Sequence, residues 1–256
     1  MEPRGPWRQG KGGGMLGSEG DPRGSPLERG MDYQQSWQGA STGTQSRVDF
    51  VRSVYLWLMG GFAVAALGTF SAPLVGNALI SVAGRFWFWV LFGIQFGSLM
   101  FASRVSRRKP LNRVAYVLFT FLSGVIAGIV ALALASGAGF MPVFTAFGLT
   151  GVVFLTLTVT AFVSKKDFSF LRNFVIVGIA VMFFGSLAAA IFHLETFSLI
   201  ISGVAVIACS AKLLWDTSAM LRTNDFGDPA GFALALFVSL YNILISLMNL
   251  LGGRRR

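Results

Sequence analysis

Charge is scarce in this 256-residue chain: Asp, Glu, Lys and Arg make up 12%, where soluble domains carry roughly 25%. That shortage excludes an ordinary soluble domain. Cysteine and histidine are nearly absent. One Cys209 cannot close an internal disulfide, and with one His193 it cannot build a Cys/His metal cluster, so redox and zinc chemistry drop out. Acids are few as well, 11 against 21 basic residues, for a net charge of +10. In a soluble protein such an excess points to nucleic acid. Here the basic residues gather in short loops between apolar runs, a pattern of membrane orientation and attraction to anionic lipid. The expected partner is the lipid bilayer, with no nucleic acid, small-molecule substrate or cofactor.

What is present in abundance is apolar: 54% of the chain, with 25 Phe. The runs exceed the roughly 18 residues that separate membrane spans from buried core helices. An all-α integral membrane fold follows.

Residues 1–50 differ in kind. The first thirty, MEPRGPWRQGKGGGMLGSEGDPRGSPLERG, hold nine Gly and four Pro with almost no aliphatic side chains. That composition predicts a disordered tail. It lacks the apolar core of a signal peptide, so the first span is expected to act as an uncleaved anchor. Met15 and Met31 are alternative starts of translation to Met1.

Seven apolar segments follow, at 53–75, 86–103, 113–136, 141–163, 170–192, 197–221 and 229–252. Each is read as a span, giving a membrane domain over 51–252 and a basic tail over 253–256. Breaks are expected at Gly76-Asn77, Arg107 to Pro110, Ser136 to Gly139, Lys165 to Asp167, His193 to Glu195, and Asn224 to Pro229. Small residues at Gly124 and Gly128 read as ordinary close helix packing.

Basic residues set the orientation. The second loop carries Arg104, Arg107, Arg108, Lys109 and Arg113, and the fourth carries Lys165, Lys166 and Arg172. The first has only Arg85, and the fifth carries Glu195. A cytoplasmic N-terminus follows. Seven full spans would then place Arg254 to Arg256 outside, so a re-entrant last segment is an alternative.

Two ionisable groups lie well inside a span, Lys212 and Asp216, four apart and hence on one helix face. Two readings stay open: a neutralised pair, or a proton- or cation-sensing carboxylate. On the last segment Ser239, Asn242, Ser246 and Asn249 recur every three or four residues and form a polar stripe. A hairpin about Gly227-Asp228 would bring Asp216 and Ser239 to similar depth. That seam reads as interhelical hydrogen bonding or as the lining of a hydrated path. Gln95 and the threonines at 145, 150, 156, 158 and 160 are weaker candidates, since threonine often bonds its own helix. No lysine in the last segment can carry a Schiff base, and no Gly-x-Ser-x-Gly elbow exists. The chain reads as a non-enzyme without a metal site.

Three strings resemble a known family. SKKDFSFL (164–171) resembles the loop between the fourth and fifth helices of the Bax inhibitor-1/YccA family, WDTS (215–218) its sixth-helix acidic motif, and ALALFVSLYNIL (233–244) its final helix. The resemblance covers about residues 50–252 and implies a seven-transmembrane-helix bundle. For some members it implies a pH-sensitive calcium leak, gated by two aspartates sharing a proton. Asp216 matches the first aspartate; the second position is Ser239. Two adjacent carboxylates resist joint ionisation, whereas a carboxylate beside a hydroxyl has no such coupling. A neighbouring ammonium such as that of Lys212 repels a divalent cation, and Gln95 stands where some relatives have a glutamate. VSLYN (238–242) is similar to the YccA-type branch. That branch implies a modulator of a membrane-bound FtsH-type AAA protease in the bacterial inner membrane. A calcium or cation leak, with Ca2+ as the permeant ion, is the alternative.

Overall fold

The computed structural model describes residues 26–106, 108, 110–164, 166–223 and 228–253. The chain divides into two units, residues 1–45 and 46–256, and the helix packing is that of the second unit. The described residues form helices α1 (Pro26–Ala83), α2 (Trp87–Val105), α3 (Leu111–Ala138), α4 (Met141–Ser164), α5 (Leu171–Ile191), α6 (Glu195–Arg222) and α7 (Pro229–Gly253). Helices are the solution a bilayer imposes, because each satisfies its backbone donors and acceptors within itself.

Six of them are long and apolar enough to cross a membrane. The seventh, α2, is the shorter apolar helix Trp87–Val105, where the sequence reading places a span at 86–103. Its 19 residues rise about 28 Å at 1.5 Å per residue, within the roughly 17–25 residues that cross a hydrocarbon core of roughly 30 Å.

The first helix departs from expectation at both ends. It begins at Pro26, so residues 26–50, read as disordered, are helical; residues 1–25 lie outside the described residues. Proline suits a first helical position, and no other proline follows until Pro73. The expected break at Gly76-Asn77 is absent, since α1 continues to Ala83. In an apolar setting a loop there would strand backbone polar groups, so the helix persists. The chain turns instead at Gly84, in the left-handed region at φ 51°, through the 3-10 turn Gly84–Phe86.

The central helix is α7. Half of its most apolar window is buried, against 11% for α4, whose Phe144, Val152, Leu155 and Val159 face outward. The Phe237 ring of α7 meets Phe62 of α1 and both Tyr116 and Phe119 of α3, and the Tyr116 hydroxyl donates to the Trp57 carbonyl at 2.9 Å. α7 runs unbroken from Pro229 to Gly253, so the re-entrant alternative is not adopted. It starts cleanly because the Asp228 carboxylate accepts the Ala230 N–H at 3.0 Å, with Pro229 as the first helical residue.

Between α1 and α3 the backbones touch. A Cβ at Gly124 would lie 1.9 Å from the Ala65 carbonyl oxygen, and one at Gly68 would lie 2.2 Å from that of Phe121. The Thr69 hydroxyl, 3.0 Å from the Gly124 carbonyl oxygen, donates across the crossing. Gly124 and Gly128 therefore serve packing, as expected.

Candidate functional site

Lys212 and Asp216 face the α6–α7 seam, half-buried at 18% and 14% exposure of their side chains. The Lys212 ammonium donates to the Asp216 carboxylate, forming the i, i+4 ion pair that the spacing allows. Its Nζ also lies 3.5 Å from the Ala235 carbonyl oxygen of α7. The hydroxyl of Ser239, fully buried, donates to that same carbonyl at 3.1 Å. Ser239 thus stays on its own helix and meets the ion pair only through Ala235.

The rest of the stripe forms two further groups. Asn242 Nδ2 donates to the Val238 carbonyl at 2.8 Å. Asn249 Nδ2 donates across to α6, to Ser198 Oγ at 3.0 Å and Ser202 Oγ at 2.8 Å. Sequence reasoning misses these two serines, although their spacing of four places them on one face of α6. Gln95 of α2 donates at 2.8 Å to Ser123 of α3, which in turn donates to the Phe119 carbonyl at 2.8 Å. The threonines at 145, 150 and 160 bond back along α4, as expected.

A cavity of about 1320 Å³ brings most of these groups together. Gln95, Lys212, Ser239, Asn242, Ser246, Asn249, Ser198 and Ser202 line it, together with Phe92, Phe96, Phe183 and Cys209. Asp216, expected to face the path, does not; Lys212 takes the lining position. One end reaches the α5–α6 turn at His193 and Glu195 and the helix ends at Ala138 and Gly253. From Glu195 to Lys212 is 17 residues of α6, about 25 Å along the axis.

At the opposite end of α6 the family-like motifs meet. Arg222 pairs with Asp167 at 2.9 Å, and Ser218 Oγ lies 3.5 Å from the Lys166 carbonyl oxygen. Asp167 accepts from the Ser169 N–H at 2.9 Å and from its hydroxyl at 2.6 Å. The Ser169 hydroxyl above all, then its N–H and the Arg222 charge, hold the Asp167 carboxyl below its usual range. Nearby, Arg113 lies 3.5 Å from the buried Asp228 carboxylate and over the Trp57 ring at 5.5 Å. Arg104, Arg108 and Lys166 are exposed at the loops of this end; Arg107, Lys109 and Lys165 lie outside the described residues. The break at 224–227 lies outside them as well.

The clasped motifs belong to a sequence pattern with a wider distribution. The family model "Inhibitor of apoptosis-promoting Bax1" matches residues 47–256. The chain belongs to the Bax inhibitor-1 family. Within it, a protein of Campylobacter jejuni is 30% identical over 221 residues, 86% of this chain and 95% of that one. The Escherichia coli protein named Modulator of FtsH protease YccA is 31% identical over 159 residues, 62% of this chain and 72% of its own. A membrane protein of Vibrio cholerae is 30% identical over 149 residues, 56% of this chain and 66% of that one. These relatives support the YccA-type branch of the family. In this chain the end of α6 that carries WDTS meets the SKKDFSFL loop, through Ser218 at the Lys166 carbonyl and Arg222 at Asp167.

Proposed function

We propose that this chain is a non-enzymatic modulator of a membrane-bound FtsH-type AAA protease. It would sit in the bacterial inner membrane with its N-terminus cytoplasmic. The observation that carries this reading is the 31% identity to a protein named for that role. The exposed Arg104, Arg108 and Lys166 at one end of the bundle support the orientation. The polar seam supports interaction over conduction: its carboxylate, Asp216, is paired with Lys212, and Lys212 in place of Asp216 lines the cavity. A calcium leak through Asp216, Ser239 and Asn242 finds no second carboxylate among the described residues of the seam. Among the described residues no three His, Cys, Asp or Glu side chains cluster as metal ligands.

The test is co-purification of the tagged full chain with the protease from native membranes, alongside turnover of a membrane substrate of that protease. Association together with slowed turnover on overexpression is expected. No association and unchanged turnover would sink the proposal.

A further inference from the structure

Where α1 crosses α3 the packing leaves a groove of about 260 Å³. Leu56, Gly60 and Val64 of α1 line one side and Val117 of α3 the other, and Trp57 and Tyr116 complete the lining. Leu56, Gly60 and Val117 are exposed, so the groove opens onto the surface that hydrocarbon covers. The Tyr116 hydroxyl is spent on the Trp57 carbonyl at 2.9 Å, which leaves the lining apolar apart from the Trp57 indole N–H.

The two glycines here differ in what they serve. A Cβ at Gly61 would lie 2.1 Å from the Tyr116 hydroxyl oxygen, so Gly61 makes room for that side chain. A Cβ at Gly60 would meet nothing within 4 Å. Glycine inside a helix costs stability relative to alanine, and no close neighbour among the described residues requires it at Gly60. What Gly60 does is keep the groove open.

Each wall carries an arginine at the same end. α1 and α3 run parallel, with Trp57 against Tyr116 and Ala65 against Gly124. Arg52 stands one turn before Leu56 on α1, and Arg113 stands one turn before Tyr116 and Val117 on α3. The Arg113 guanidinium lies over the Trp57 ring, itself part of the lining. Its side chain is 49% exposed, and its contact with Asp228 runs through Nε at 3.5 Å, which leaves the NH2 groups of the fork for an oxyanion. Arg52 is exposed and makes no ion pair among the described residues. Asp49, three residues before it, has contacts of its own.

We propose that the groove and its two arginines form a binding site for an anionic phospholipid. The headgroup phosphate accepts N–H donors from Arg52 and Arg113, and one acyl chain lies along Leu56, Gly60 and Val64. An apolar slot with a cationic end matches a molecule that is an anion at one end and hydrocarbon at the other, and the surrounding bilayer supplies it. The inference does not depend on the protease reading.

Native mass spectrometry of the full chain, released from detergent micelles with added phosphatidylglycerol or phosphatidylcholine, is the test. Phosphatidylglycerol should be retained in preference by about fivefold for each arginine. Arg52→Gln should remove one such factor, whereas Lys166→Gln, which takes a charge from another loop, should remove none. Gly60→Leu, which fills the slot, should lower phosphatidylglycerol retention about tenfold, the equivalent of roughly two buried methylenes, with the melting temperature in lipid-free micelles unchanged. Glycerol 3-phosphate, which has the headgroup phosphate without the chains, should not displace the lipid. Equal retention of the two lipids, or a loss in Lys166→Gln as large as in Arg52→Gln, would reduce the effect to general surface charge and overturn the site. Retention unchanged in Gly60→Leu would overturn the groove, and dimers that vanish in Gly60→Leu with no lipid bound would give the groove to a second copy instead.

Discussion

Lys212 binds the Asp216 carboxylate and takes its place in the lining of the cavity. The pair is one helical turn long, sits at 18% and 14% exposure, and touches α7 through the Ala235 carbonyl. Breaking such a pair from one side leaves a charge without compensation, whereas removing both charges does not. Lys212→Met is therefore expected to destabilise by about 3–5 kcal/mol, and the double variant Lys212→Met, Asp216→Asn should recover most of that. Chemical unfolding in mixed micelles measures both. A double variant as unstable as the single would show that the ion pair is not the source.

The same pairing bears on ion movement. In reconstituted vesicles loaded with a calcium dye, flux through the wild-type protein should not rise between acidic and neutral pH, and Asp216→Asn should leave it unchanged. A flux that follows pH and disappears in Asp216→Asn would restore the leak reading.

Where α1 crosses α3, a Cβ at Gly124 would meet the Ala65 carbonyl oxygen at 1.9 Å, a backbone atom that no side-chain rotation can move aside. Gly124→Val should cost at least about 1–3 kcal/mol, the range for overpacking. Gly60, one helix over with nothing within 4 Å of its Cβ position, is the control: Gly60→Ala should stay within about 0.5 kcal/mol. Thermal denaturation of the detergent-solubilised protein compares the two.

At the far end of α6 the Asp167 clasp responds to acid. Its carboxyl is held low by Ser169 first and by Arg222 after it. The contribution is therefore present above the ordinary carboxylate range and is lost as pH falls through the lowered value. Ser169→Ala should bring the Asp167 titration back up, as read by carbon-detected NMR of the labelled side chain. An unchanged titration would mean that Ser169 does not hold the carboxylate.

Much of this architecture was legible in the chain. Apolar length alone located α3 to α7 within a few residues, because a bilayer accepts only helices of a set length and marks their ends with polar turns. The spacing of Lys212 and Asp216 put both on one helix face, within reach of each other, and left open whether they pair. Local chemistry misled where a loop signal stood in an apolar setting: Gly76-Asn77 reads as a turn, yet α1 carries through it to Gly84. For α2 the expected span, 86–103, nearly coincides with the helix Trp87–Val105.

What the sequence by itself determined is therefore the membrane class, the helix count, the family and which residues are polar inside the spans. Each of these depends on local composition or on the repeat of a single helix. Only the tertiary structure decided that Lys212 and not Asp216 faces the cavity, that Ser239 bonds its own helix, and that Gln95 and Asn249 find Ser123 and Ser202. Those outcomes depend on how one helix is rotated against another. Packing sets that rotation through contacts such as Gly124 on Ala65 and Phe237 on Tyr116, between residues far apart in the chain.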